Sequence, residues 1–196
     1  MCSSTCAKCL GASLIPLALC CMVANILLYF PNGETQYAEE DSLTLYVWFF
    51  TGIAGGGIFM FLPAAVFMTV GDCANDGYGR SCVMFGSVLA ALIGVAGSGY
   101  CFIVSALALN KGPYCLTSLG WMYPFQDSNG RYLTDPDSWF VCLSPAHVVV
   151  WNVTLFSILL VLSGMEVIIC VIQVINALLS CLCGSCCSKE NYSMNA

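Results

Sequence analysis

Apolar residues fall in four long blocks separated by shorter polar stretches. Leu10 to Phe30, Leu45 to Val70, Val83 to Leu109 and Val148 to Leu179 each have the length a helix needs to cross a bilayer, about 20 mostly apolar residues. The pattern predicts an all-α integral membrane protein, a four-transmembrane-helix bundle. Its parts are a tail (1–9), a span (10–30), a short loop (31–44), a span (45–70), a polar loop (71–82), a span (83–109), a large loop (110–147), a span (148–179) and a second tail (180–196). Pro16 and Pro63 fall inside the first and second blocks and predict kinks there. The fourth block would run about 48 Å as one helix, so it tilts or projects one end. Lys8 followed by an apolar run also fits a signal peptide. The run is long and no small-x-small site precedes PNGET, so a retained span is the expectation.

Composition supports lipid as solvent. Hydrophobic residues make up 59% of the chain and charged residues 8%, against about 25% charged in soluble domains. The net charge of −6 reflects five Lys and Arg against eleven Asp and Glu. No basic patch exists, which excludes nucleic acid as a partner.

Four spans put both tails on one side. Lys8, Arg80 and Lys189 share that side, while Lys111 and Arg131 lie opposite, and the acidic loop PNGETQYAEEDSLT has no basic residue. The positive-inside bias therefore predicts cytosolic tails and extracellular loops at 31–44 and 110–147. Tyr29, Tyr46, Trp48 and Trp151 cluster at the outer ends as interfacial anchors.

That orientation sorts the fifteen cysteines. Cys115 and Cys142 are an even pair in the large outer loop, where the oxidising side favours a disulfide. It would close a ring of about 28 residues and contribute about 3.6 kcal/mol on the chain-entropy formula. Cys2, Cys6, Cys9, Cys73, Cys82, Cys181, Cys183, Cys186 and Cys187 lie toward the reducing face at helix flanks. Reversible S-palmitoylation is the chemistry expected there. The alternatives are unmodified thiols or a zinc knuckle at Cys183-x-x-Cys186 with Cys6-x-x-Cys9. No polar scaffold surrounds such a site, so the expectation is no metal. Cys20, Cys21, Cys101 and Cys170 lie within spans as small packing residues.

Glu166 is the only carboxylate inside a span, with Gln173 nearly on its helix face. Asn25 in the first span and Asn176 in the fourth add polar partners. One reading is interhelical hydrogen bonding. The other is a polar anchor for a sterol or phospholipid head, in a sensor or transporter built on Glu166 and Asn25. Gly86, Ala90, Gly94 and Ser98 repeat every four positions, as do Gly52 and Gly56. Such stripes either pack the bundle internally or form a homo-oligomer face. His147 borders a membrane entry in SPAHVVVW, and TDPDSW reads as a turn. No nucleophile–base constellation emerges, so no enzyme is expected.

A short outer loop followed by a longer one, with acyl-prone cysteines at the inner edge, is the tetraspanin order rather than the claudin order. A tetraspanin would show a CCG motif and more loop disulfides. ANILLYFPNGET (24–35), GSGYC (97–101), KGPYC (111–115), WNVTLFSILL (151–160) and QVIN (173–176) instead resemble the transmembrane-4 L-six family, over nearly the whole chain. That family's inner loop is often longer and denser in cysteines than GDCANDGYGRSC, which weakens the acylation expectation at Cys73 and Cys82. The resemblance implies a tetraspanin-like scaffold, a plasma-membrane and endosomal glycoprotein. It would organise integrins and tetraspanins in microdomains, with roles in adhesion, motility and proliferation signalling. It also implies glycosylation of Asn152, which lies in a sequon at the WNVT position; Asn191-Tyr-Ser193 is a second sequon, on the cytosolic side of the expected topology.

Overall fold

The computed structural model of the chain describes residues 2–30, 44–73, 80–126, 128, 130–144 and 147–193. The expected short loop (31–44) therefore lies outside the described residues except for Thr44, and the polar loop (71–82) is described only at its two ends.

Among the described residues, four helical segments are long and apolar enough to cross a membrane: Cys6–Leu28, Leu45–Thr69, Phe85–Lys111 and Val148–Leu179. Helix α1 runs Cys2–Leu28, α2 Phe59–Cys73, α3 Arg80–Lys111 and α4 Val148–Ser193. The first helix therefore starts before the expected span and ends before Phe30, and the fourth continues past Leu179 into the expected tail. Apolar faces point outward on every helix, as at Val23, Ile58, Leu92, Ile103, Val161 and Ile168, which is where lipid replaces water.

The second span is not one regular helix. A 3₁₀ turn at Leu45–Phe49 ends on Phe50, a non-glycine residue with φ +48°. A single helical turn at Thr51–Ile53 and a π-turn at Ala54–Ile58 then lead into α2. Pro63, inside α2, has no N–H for the carbonyl of Phe59. Gly55, Gly56 and Gly57 put no side chain in the way of a wider turn just upstream. The irregularity thus sits upstream of the proline.

Those glycines also bring the helices together. A Cβ at Gly55 would lie 2.5 Å from the carbonyl oxygen of Gly97 on α3, and one at Gly97 would lie 2.8 Å from that of Gly55. At Gly94 the would-be Cβ meets Cys170 Sγ at 2.6 Å. The stripe on α3 is therefore used within the bundle at Ala90, Gly94 and Ser98, all turned inward, while Gly86 has open space around it.

Two apolar clusters fill the bundle. The loop-proximal one contains Leu28, Val47, Ala108, Leu155, Phe156 and Leu159. The tail-proximal one contains Leu14, Met60, Ala64, Phe67, Ala91 and Cys170. Beyond the bundle, the described residues between α3 and α4 form a small unit whose core of Cys115, Phe125 and Tyr132 packs on Val148 and Val149 at the start of α4. Strands β1 (Cys115–Thr117) and β2 (Gly120–Met122) make an antiparallel hairpin, with Cys115 opposite Met122. Leu116 bridges to Ser144, and Cys115 and Cys142 are joined by a disulfide with Cα atoms 5.6 Å apart.

Candidate functional site

The polar residues within the spans gather on α4 and on the helix faces that meet it. Ser163, Glu166 and Gln173 are buried along one side of α4. Cys21 Sγ donates to Glu166 Oε1 at 3.8 Å, linking α1 to α4. Gln173 Nε2 donates to Ser87 Oγ of α3 at 3.0 Å. Asn176 Nδ2 reaches Cys6 Sγ of α1 at 3.5 Å, at an exposed edge. Of the four polar candidates, Glu166, Gln173 and Asn176 thus each tie α4 to a neighbour, the interhelical pairing open in the sequence.

Asn25 behaves differently. It is fully buried, and neither its Oδ1 nor its Nδ2 has a hydrogen-bond partner. Glu166 Oε2 is likewise buried and unpaired, whereas the buried Thr51 and Ser105 hydroxyls have only the Cys101 thiol beside them. Asn25 and Cys21 are one turn apart on α1, and a Cβ at Gly52 would lie 2.7 Å from both Asn25 Cβ and the Cys21 carbonyl oxygen. The Cys101 thiol is surrounded by Ser105, Thr51 and Ser163 and feels the Glu166 carboxyl. Gly56 completes the layer, its would-be Cβ 3.1 Å from Cys21 Sγ and 3.4 Å from Cys101 Sγ. On α4 this polar layer lies between Leu159 of one apolar cluster and Cys170 of the other. Thr51 and Ser105 were not singled out in the sequence, because a lone hydroxyl in an apolar block carries no signal until its neighbours across the bundle are known.

In the outer unit most aromatics are structural. Phe125 and Tyr132 stack at 4.5 Å between ring centroids, Tyr132 Oη donates to the Leu109 carbonyl at 2.6 Å, and Trp139 Nε1 donates to the Tyr132 carbonyl at 2.8 Å. Burial pushes the Tyr132 phenol up to about 12. Lys111 Nζ sits 4.5 Å over the Tyr123 ring, and Tyr123 Oη accepts from the Leu45 N–H at 3.0 Å, so the unit is fastened to the second span. The most exposed apolar side chains of the unit are instead Leu119 (85%), Phe140 (83%) and Leu143 (64%).

Asn152 lies in the second turn of α4. It is 8% exposed and its Nδ2 donates to the Val148 carbonyl at 3.1 Å. A glycan on that nitrogen would take the place of one of its two N–H hydrogens and has to leave from the buried start of α4. Of the acylation candidates, Cys6 and Cys9 are exposed on α1. Cys2, Cys73, Cys82, Cys181, Cys183, Cys186 and Cys187 lie on helical backbone, with side chains outside the described residues. Asn191, of the second sequon, falls in the same class. Among the described residues no group of three or more His, Cys, Asp or Glu has metal-ligand geometry. His147 is exposed at φ +58°, and its carbonyl accepts the Trp151 N–H at 3.0 Å, so it serves as a turn into α4.

Comparison with known proteins agrees with the architecture. The family model for L6 membrane protein matches residues 1–187. Transmembrane 4 L6 family member 1 of Homo sapiens is 56% identical, over 97% of this chain and 98% of its own length. Transmembrane 4 L6 family member 4 of Homo sapiens is 48% identical, over 95% and 94%. Transmembrane 4 L6 family member 18 of Bos taurus is 47% identical, over 93% and 94%. No solved structure matches the chain. Four apolar helices, one loop disulfide and likeness over nearly the full length together make this chain a multi-pass membrane protein of the L6 family.

Proposed function

We propose that the protein is a non-enzymatic scaffold of the plasma membrane, with both tails cytosolic. It gathers partner membrane proteins, integrins and tetraspanins among them, into microdomains that serve adhesion, motility and proliferation signalling. The observation that carries this reading is the outer unit. It has its own core, is closed by Cys115–Cys142, and leaves Leu119, Phe140 and Leu143 uncovered. A built unit with bare apolar side chains suits docking, since a few buried anchors, aromatic ones above all, supply most interface energy. Acyl chains on the tail cysteines would bias the scaffold toward ordered lipid.

Proximity labelling in cells tests it. The wild-type chain should recover membrane proteins above control, and Phe140→Ser with Leu143→Ser should lose part of that set. Recovery of no membrane protein above control sinks the reading. The alternative, a sterol or phospholipid head anchored at Asn25 and Glu166, has unpaired polar atoms to offer. It also needs the helices to part where Gly52 and Gly56 hold them close. Photoactivatable sterol labelling that disappears in Glu166→Gln would favour it.

A further inference from the structure

Three tyrosine hydroxyls from outside the second span hold its first turn, Leu45–Phe49. Tyr123 Oη of the outer unit accepts the Leu45 N–H at 3.0 Å. Tyr29 Oη, just after α1, donates to the Val47 carbonyl at 2.9 Å, and Tyr100 Oη of α3 donates to the Phe49 carbonyl at 3.3 Å. Thr44, which precedes the turn, accepts the Tyr114 N–H on its Oγ1 at 3.0 Å. Lys111 Nζ lies 4.5 Å from the Tyr123 ring and 5.9 Å from the Tyr46 ring, so charge draws the same corner together. Tyr114 and Tyr123 both belong to the outer unit.

The rest of the span is held in another way. A Cβ at Gly52 would lie 2.7 Å from Asn25 Cβ and from the Cys21 carbonyl oxygen, and one at Gly55 2.5 Å from the Gly97 carbonyl oxygen. Backbone packed this closely has no room to slide. Phe50 stands between the two parts, with φ +48° and ψ +31°. The left-handed conformation is unfavourable for a bulky L-residue and persists only where the surroundings fix it. The Tyr123 and Tyr100 bonds that fix it are exposed, so water can take their place, whereas nothing replaces the glycine contacts.

We propose that Leu45–Phe49 is a latch between the outer unit and the bundle, hinged at Phe50. While the outer unit is seated, Tyr114 and Tyr123 keep the turn in place and Phe50 left-handed. When the unit shifts, those contacts break, Phe50 relaxes to an ordinary conformation, and the turn swings while Gly52 and Gly55 stay packed. The second span thereby registers the position of the outer unit, whatever partner displaces it.

Hydrogen–deuterium exchange on the full chain in lipid nanodiscs, read by mass spectrometry, tests the latch. Tyr123→Phe keeps the ring beneath Lys111 and removes only the oxygen that holds the Leu45 N–H. Exchange at 45–50 should rise about fivefold, with 90–105 of α3 and 155–170 of α4 unchanged. Phe50→Val and Phe50→Gly both remove the ring that meets Tyr29 at 5.5 Å, but only valine resists a positive φ. Exchange at 45–50 should therefore be about tenfold faster in Phe50→Val than in Phe50→Gly. Unchanged exchange in Tyr123→Phe overturns the latch, and equal rates in the two Phe50 variants overturn the hinge. Acceleration spread evenly over all four spans overturns both, since that is a general loss of stability rather than the release of one turn. Should a Phe50 variant fail to fold, Tyr123→Phe decides alone.

Discussion

Gln173 and Ser87 meet side chain to side chain at 3.0 Å, within the tail-proximal half of the bundle. Both are buried, so the bond is sheltered from water, yet Gln173 Oε1 keeps no partner. Interhelical hydrogen bonds of this kind in membranes average about 0.6 kcal/mol, because the separated helices also find partners. A double-mutant cycle of Gln173→Leu and Ser87→Ala, read by chemical unfolding in detergent, should give a coupling of about that size. Strict additivity would show that the pair contributes nothing.

The glycines should sort by what surrounds them. Gly55→Ala forces a methyl against the Gly97 carbonyl, and backbone cannot swing aside as a flexible side chain can. The expected loss is about 1–3 kcal/mol, the range of overpacking in a filled core. Gly86→Ala adds its methyl to open space and should leave unfolding unchanged or slightly raise stability. Parallel unfolding curves of the two variants check the contrast.

Cys142→Ser opens the loop between Cys115 and Cys142, which are 27 positions apart. Removing a native disulfide from a small unit typically costs about 2–5 kcal/mol. The loss should be local: the outer unit becomes protease-sensitive while the four spans keep their helical signal. Limited proteolysis alongside far-ultraviolet circular dichroism separates the two.

Tyr132 offers a titration with a defined sign. Its phenol is pushed up to about 12 by burial, above the ordinary value near 10. The unfolded loop therefore loses this proton before the folded one does. Stability from this group is unaltered below about pH 10 and falls as pH rises toward 12. Tyr132→Phe should remove that alkaline loss. It should also cost about 0.5–1.5 kcal/mol near neutrality, through the missing bond to the Leu109 carbonyl. Phenolate absorbance followed against pH, wild type beside variant, checks both halves.

The long apolar blocks announced the spans because hydrophobic length is a property of the chain alone. The fourth apolar block falls within α4, which runs on past Leu179 to Ser193, and the Cys115–Cys142 pair was legible because two cysteines in one oxidising loop leave little choice. The π-turn at Ala54–Ile58 was not legible, because it depends on how Gly55 meets Gly97 and Gly56 meets Cys21 across the bundle. The polar layer was half legible. Glu166 and Asn25 stand out in apolar surroundings, whereas Thr51 and Ser105 acquire meaning only from their place beside Cys101. The loop aromatics depend on packing too: Phe125, Tyr132 and Trp139 join the core of the outer unit while Phe140 stays exposed, a division that residue type alone does not set.

The tail cysteines test orientation and acylation together. Cys6 and Cys9 are exposed at the start of α1, at the end of the bundle where Asn176 of α4 reaches Cys6. In the proposed orientation they face the acyltransferases of the reducing side, and an impermeant maleimide added to intact cells should not reach them. Metabolic labelling with an alkynyl fatty acid should give a hydroxylamine-sensitive signal. Replacing Cys2, Cys6, Cys9, Cys181, Cys183, Cys186 and Cys187 by Ser should remove most of it, while replacing Cys73 and Cys82 alone should remove little. Maleimide labelling of Cys6 or Cys9 in unbroken cells would invert the topology, placing the tails outside and the Cys115–Cys142 loop in the cytosol. A disulfide does not ordinarily persist in that reducing compartment, so that result would conflict with the loop's own chemistry.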